Sequence, residues 1–375
     1  MQKNKPRLKI AYISVDNFFD VDFPILPELN KSYKLIWFPI IPEKGSRYSK
    51  GEVKSFAGQN NIKYFLSVRK GRRRNIRQLF FSYKLLLRVK QVNADIIYTE
   101  YLSDIYIAFL AFFFLPRKKT IYAIHDVVGH TNFNSIVLSS LSKILRKHFK
   151  YFHIFSKSQK SIFDNSYRKK QSFYAPLALK NFGSSDKLRP SKKSCKFLFF
   201  GSILEYKGLN LLIQAAEEII SEGETNFSVT IAGKGNYWNN CKHLIKNKSH
   251  FNTKIEFIPD TEVPDLFTTH HYLVLPYLDV TQSGPQMIAL NYVLPIIASN
   301  HEGFKEYTID GETGFVLQQN TLESLKSVLR KCINISQRDY DLMVMNLVNE
   351  NRTKYDISKI ITQYDYMFTE LLNQK

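Results

Sequence analysis

Phe199-Phe200-Gly201-Ser202-Ile203-Leu204-Glu205-Tyr206-Lys207-Gly208, running into Leu209-Asn210-Leu211-Leu212-Ile213-Gln214-Ala215-Ala216, decides how this chain is read. An apolar strand ends on a glycine, a short turn carries a lysine, and a leucine-rich helix begins. That order lets the backbone at Gly201 approach a ligand and aims Lys207 at it, and a diphosphate is the natural guest. Taken alone, the same loop is also an ordinary strand-to-helix connection with an exposed lysine.

Two further strand ends lie behind it. Ile231-Ala232-Gly233-Lys234-Gly235 makes a turn without a side chain at two positions, and Leu275-Pro276-Tyr277-Leu278-Asp279-Val280-Thr281-Gln282-Ser283-Gly284 leads into an apolar helix at 287–292. Thr281, Gln282 and Ser283 therefore stand at a helix N-terminus, where unpaired amides and the positive end of the dipole favour phosphate. Pro295-Ile296-Ile297-Ala298, Glu306 and Gly311-Glu312-Thr313-Gly314 complete the run.

Working outward, short apolar strands alternate with amphipathic helices twice over. Strands are expected at 8–14, 33–38, 95–99 and 120–125, and again at 196–200, 227–232, 254–258, 272–275 and 295–298. Strands buried on both faces by helices make a parallel α/β sheet. The fold class is thus α/β with two Rossmann-like domains and a ligand cleft between them. The polar stretch 181–194 reads as the linker, giving an acceptor-binding domain at 1–180, a donor-binding domain at 181–355, and a terminal helix at 356–375 that packs back toward the first domain.

The ordered set, densest over residues 195–320, resembles the family 4 glycosyltransferases of GT-B fold. The matching pieces are the strand ending at Gly201, Lys207-Gly208, the turn at 233–235, the Pro-Tyr segment with Thr281 to Gly284, and Pro295 followed by Glu306 and Gly311-x-x-Gly314. The resemblance implies sugar transfer from a UDP- or GDP-sugar to an acceptor hydroxyl, a retaining, metal-independent hexosyltransferase of class EC 2.4, with no cofactor besides the donor. It places Gly201, Ser202, Lys207, Gly233, Lys234, Thr281, Gln282, Ser283, Gly284 and Glu306 at the donor, with Lys207 neutralising the diphosphate. Two departures matter. The family's paired glutamates correspond to Val280 and Ile288, and the arginine after its first glycine corresponds to Ser202, for which Lys234 is a candidate substitute.

In the first half, the strand at 120–125 ends in His125-Asp126-Val127-Val128-Gly129-His130. A histidine at a strand end can hold a sugar hydroxyl or assist proton movement, with Asp126 fixing its tautomer. It can also be a structural histidine, and a zinc reading through His125 and His130 has no third ligand. The family shows this His-Asp pair, so His125 and Asp126 join Lys207 as catalytic candidates. Asp16, Asn17, His125 and His130 are the candidates for the acceptor. No pair of acids stands out in the loops as a glycosidase needs.

The charge is one-sided. Residues 1–180 hold 33 Lys and Arg against 11 Asp and Glu, a net +22, whereas 181–375 hold 20 against 22, a net −2. The segment 78–90 reads as a helix with an oily and a cationic face. With the aromatic run 105–115 and Arg117-Lys118-Lys119 it points to an anionic membrane surface, or else to a solvated helix in a lysine-rich protein. The run at 105–115 is too short for the roughly 20 residues that span a bilayer. Nucleic acid is not an expected partner, since only charge supports it and no zinc finger, helix-turn-helix or RNP motif is present. The basic N-terminus continues into a strand without a signal-like apolar stretch, and Cys195, Cys241 and Cys332 suit reduced thiols, so a cytoplasmic location, peripheral on the inner membrane face, is expected. The expected function is addition of a sugar to a lipid-linked or growing surface polysaccharide. An epimerase-like nucleotide-sugar enzyme and, further off, a basic nucleic-acid-binding protein are the rivals.

Overall fold

Six consecutive residues, Ile10 to Val15, are buried in the first strand, which requires cover on both faces. The computed structural model describes residues 7–71, 75–100, 102, 104–127, 136–280 and 283–373. They form two compact units, Met1–Ala178 with Ile357–Lys375, and Leu179–Asp356.

In the first unit the strands are Lys9–Val15 (β1), Lys34–Pro42 (β2), Lys63–Tyr64 (β3), Ser67–Arg69 (β4), Ile96–Thr99 (β5), Thr120–Ile124 (β6), Tyr151–Ile154 (β7) and Gln171–Tyr174 (β8). They pair in parallel in the order β3-β2-β1-β5-β6-β7-β8, with β4 also on β2. The order reverses between β1 and β5, so the loops after these strands part and leave a crevice at their carboxyl ends. The terminal helix Ile357–Asn373 packs within this unit, where Tyr33 donates to Asp365 at 2.8 Å and meets Phe368 ring to ring.

The second unit has Cys195–Phe200 (β9), Phe227–Ala232 (β10), Phe251–Lys254 (β11), Tyr272–Leu275 (β12), Ile296–Ala298 (β13) and Gly314–Val316 (β14). All pairings are parallel, in the order β11-β10-β9-β12-β13-β14, and the switch point lies between β9 and β12. Its core is apolar throughout, from Phe197 and Phe199 on β9 to Leu209, Leu212, Ile213 and Ala216 on the Leu209–Ser221 helix.

One expected strand is corrected. The alternation at 254–258 suggested a strand, but the strand is Phe251–Lys254 and 255–258 is irregular. Its partner β10 ends at Ala232, because Gly233 turns away; the Gly233 amide to Lys254 carbonyl bond, 3.0 Å, closes the ladder. Beyond it Ile255 to Ile258 have no strand to pair with, and Phe257 is exposed.

Two helices of the first unit bear on function. Arg77–Gln91 turns Gln78, Ser82, Leu85, Leu86 and Val89 inward and leaves Phe80 and Tyr83 exposed, so its oily residues are divided between two faces. Ile105–Phe114 starts at Asp104, whose carboxylate accepts from the Tyr106 amide at 3.0 Å, and stops before Pro116.

Candidate active site

The glycines of the second unit are placed by close backbone approach. A Cβ on Gly233 would stand 1.8 Å from the Gly201 carbonyl oxygen, and one on Gly235 1.9 Å from that of Ile203. Gly201 has φ +110° and Gly208, at +65°, lies against the Pro276 carbonyl, where a Cβ would come within 2.0 Å. The loops after β9, β10 and β12 are thereby pressed together at the switch point.

Lys207 ends the 3-10 turn Glu205–Lys207 and folds inward, so that it is only 8 % exposed. Its ammonium donates to the Tyr277 hydroxyl at 3.1 Å. Burial disfavours its charge, but the neighbouring Tyr277 and Tyr206 oxygens outweigh that and hold its pKa above the ordinary lysine value. The same ammonium lies 3.8 Å from the position a Gly201 Cβ would take, and Pro285 lies 3.4 Å from that position. Pro285 is in the first turn of the Gly284–Asn291 helix. Ser283, at its N-cap, is buried, makes no capping bond, and its hydroxyl has no hydrogen-bond partner among the described residues. The Lys180 ammonium stands 3.2 Å from a Cβ built on Gly284. A glycine turn, two lysines and a helix start thus converge, which is the arrangement that takes up an anionic group.

The crevice of the first unit holds a buried polar network. Tyr12 donates to Asp22 at 2.6 Å, and Tyr98 bonds His153 Nδ1 at 2.7 Å. His153 Nε2 faces the Ala175 carbonyl at 2.9 Å, so Nε2 carries the proton and Nδ1 accepts from Tyr98. Both phenols also approach Glu100, at 3.4 and 3.5 Å, but each has one proton and a shorter bond to give it to. Glu100 therefore gains little to offset its desolvation, and burial pushes it up to about 8. Its second oxygen lies 3.8 Å from His125 Nε2. The His125 ring is stacked between Phe18 and Phe155, with centroids 3.8 and 4.1 Å away.

The model of the family Glycosyl transferases group 1 matches residues 194–334. Over that stretch the chain is similar to this family. The resemblance to GT-B glycosyltransferases is borne out. An uncharacterized glycosyltransferase of Methanocaldococcus jannaschii is 24% identical over 202 residues, 52% of this chain and 50% of the relative. The chain spans about half the length of that curated relative. A glycosyltransferase structure from Rickettsia africae superposes with a TM-score of 0.75 at 14% identity, covering 99% of this chain and 100% of the other. HepE of Anabaena, in complex with UDP-glucose, does so at 0.74 and 14%, covering 98% and 100%. The fold is GT-B, two parallel-sheet Rossmann-like units.

Within the matched segment, Gly201, Lys207, Gly233, Ser283 and Gly284 meet as described. Ser202 and Lys234 have exposed side chains on the same turns, Lys234 accepting from the Ile203 amide through its carbonyl. Glu306 is half-buried where the Glu302–Lys305 helix ends. Thr281, Gln282 and His130 lie outside the described residues. Asp16 is buried and accepts from Ser46 at 3.0 Å, while Asn17 is exposed. The Asp126 carbonyl accepts from Arg146 at 3.3 Å, and the carboxyl group found facing His125 Nε2 is that of Glu100.

Sequence reading gave no role to Tyr277, Lys180 or Glu100. Tyr277 stood inside the Pro-Tyr segment and was available. Lys180 is more than a hundred positions from Gly284, and Glu100 reaches His125 only because β5 and β6 are neighbours in the sheet. Neither proximity leaves a trace in spacing.

Proposed function

We propose that this chain is a glycosyltransferase that moves a sugar from a UDP- or GDP-sugar to an acceptor hydroxyl. The observation that carries the proposal is the buried Lys207 ammonium, fixed on Tyr277 between Gly201 and the start of the Gly284–Asn291 helix. The bond from the anomeric carbon to the diphosphate breaks, a bond to the acceptor oxygen forms, and the acceptor's proton leaves with the diphosphate or into solvent. Lys207, Lys180 and the helix amides stabilise the departing charge, which makes a metal unnecessary. The UDP-glucose bound by HepE supports the donor class.

Retention at the anomeric carbon is part of the same reading, by family. So are His125 holding an acceptor or sugar hydroxyl beside Glu100, and an acceptor that is lipid-linked or a growing surface polysaccharide. The transferase works at the cytoplasmic face of a membrane, to which it is peripheral; no helix among the described residues is long and apolar enough to cross one. Incubation with UDP- and GDP-sugars, with and without a lipid-extract acceptor, tests the reading. Acceptor-dependent release of nucleoside diphosphate supports it, whereas conversion of the sugar without an acceptor points to an epimerase-like enzyme.

A further inference from the structure

The helices Arg77–Gln91, Ile105–Phe114 and Ile136–His148 pack side by side in the first unit and leave an open groove of about 640 Å³. It is walled by Leu79, Ile105, Tyr106, Phe109, Leu141 and Ile144 and is almost wholly apolar. The apolar surface continues outside it. Phe113 is 68 % exposed and Phe80 63 %, and Ile76, Tyr83, Phe109 and Ile144 are exposed as well. Phe109 and Phe113 are one helical turn apart, with ring centroids 5.5 Å from each other. Burial drives folding, and so many large apolar side chains left together in water mark a contact surface.

The charges around this surface identify its occupant. None of the three helices contains an Asp or a Glu, whereas Arg77, Lys84, Lys143 and Lys147 are exposed on the two outer ones. Helical spacing sets Arg77 and Lys84 one turn either side of Phe80, and Lys143 and Lys147 around Ile144. A second copy of the chain would bring like charges together, and protein interfaces are poor in lysine. Nucleic acid offers no apolar counterpart to the groove. An anionic bilayer meets both demands, with headgroups for the cations and hydrocarbon for the phenylalanines.

We propose that this three-helix face docks the first unit onto an anionic lipid bilayer, Phe80, Phe109 and Phe113 entering the hydrocarbon boundary and the groove receiving a lipid acyl chain. The inference deepens the peripheral-membrane reading above, and its test reads no sugar chemistry, so its failure leaves the transferase reading standing. The purified full chain is sedimented with vesicles of phosphatidylcholine containing phosphatidylglycerol, and with phosphatidylcholine alone, at low and high salt. Binding to the anionic vesicles that weakens with salt is expected. Phe109→Ser with Phe113→Ser is expected to lower the partition constant by at least about tenfold. Lys84→Glu and Lys143→Glu are each expected to lower it by about fivefold or more. Both sets of residues are exposed, and an unchanged melting temperature verifies folding. A Phe113→Trp variant reports insertion directly, through a blue-shifted emission on anionic vesicles. A chain that stays in the supernatant at low salt overturns the proposal. So does binding unaffected by every variant, or a dimer in lipid-free solution that the serine variants dissociate.

Discussion

The Lys207 ammonium and the Tyr277 hydroxyl, 70 positions apart in sequence, meet at 3.1 Å over the glycine turn at Gly201. Tyr277 is itself buried, and its backbone carbonyl bonds His301 Nε2 at 3.0 Å, which anchors the main chain from which the phenol reaches Lys207. Lys207→Met keeps an unbranched side chain one atom shorter and removes the charge. It is expected to lower transfer by about 10²–10³, the usual effect of losing one group that stabilises developing negative charge, with the fold retained. Tyr277→Phe removes only the positioning bond and is expected to cost about fivefold. Steady-state rates with calorimetric melting of each variant check both.

The glycine contacts predict opposite responses to alanine. Gly233→Ala places a Cβ 1.8 Å from the Gly201 carbonyl at φ +151°, which backbone cannot absorb. A loss of about 3 kcal/mol or more is expected from overpacking and strain together. Gly58→Ala, in the Lys50–Gln59 helix with nothing within 4 Å of the new Cβ, is expected to stabilise by about 0.5–1 kcal/mol. Urea unfolding of the two variants distinguishes the cases.

Glu100 gives the first unit a pH dependence of definite sign. Its folded value of about 8 exceeds the ordinary 4.5, so the folded state keeps a proton that the unfolded chain releases. Stability from this group is therefore complete below pH 4.5 and is lost progressively as pH rises toward 8. Glu100→Gln, neutral at every pH, is expected to flatten that slope. If His125 works beside the same carboxyl group, the variant also shifts the alkaline limb of the transfer rate, which a purely structural role leaves in place.

Three buried histidines act in the opposite direction. Burial holds His153 down to about 3 and His270 and His271 to about 4, against an ordinary 6.5. Their contribution is complete above pH 6.5 and declines as pH falls toward those values. His271 receives the Lys196 amide at 3.0 Å and gives its other nitrogen's proton to the Pro190 carbonyl at 2.9 Å, an arrangement that protonation breaks. Protection factors of the β12 amides, taken relative to intrinsic exchange at each pH, are expected to fall on acidification from pH 6.5 to 4. Protection unchanged over that range contradicts the assignment.

Strand ends were the most legible part of the sequence, because a parallel strand writes its burial as a continuous apolar run and its end as a glycine. Gly201 and Gly233 followed from that pattern, whereas Lys207 drew its weight from the ordered set of loops around it. The strand at 254–258 misled because alternation records side-chain character, whereas a ladder also needs a partner, and β10 stops at Ala232. Side-chain neighbours across strand ends were not legible at all. Adjacency in the chain drew attention to Asp126 beside His125, whereas the approach of Glu100 to His125 Nε2 depends on the sheet order, which sets β5 beside β6. The oily face of Arg77–Gln91 was visible as composition, but its division into an inward and an outward set depended on what packs beneath it.

The central claim is that Lys207 belongs to a nucleoside diphosphate site. Titration calorimetry of the full chain with UDP and GDP, repeated with Lys207→Met, tests it most directly. Saturable binding of one nucleotide at a single site is predicted, weakened by about tenfold or more in the variant. Equal affinity in the two proteins, or no binding of either nucleotide to a folded chain, contradicts the account.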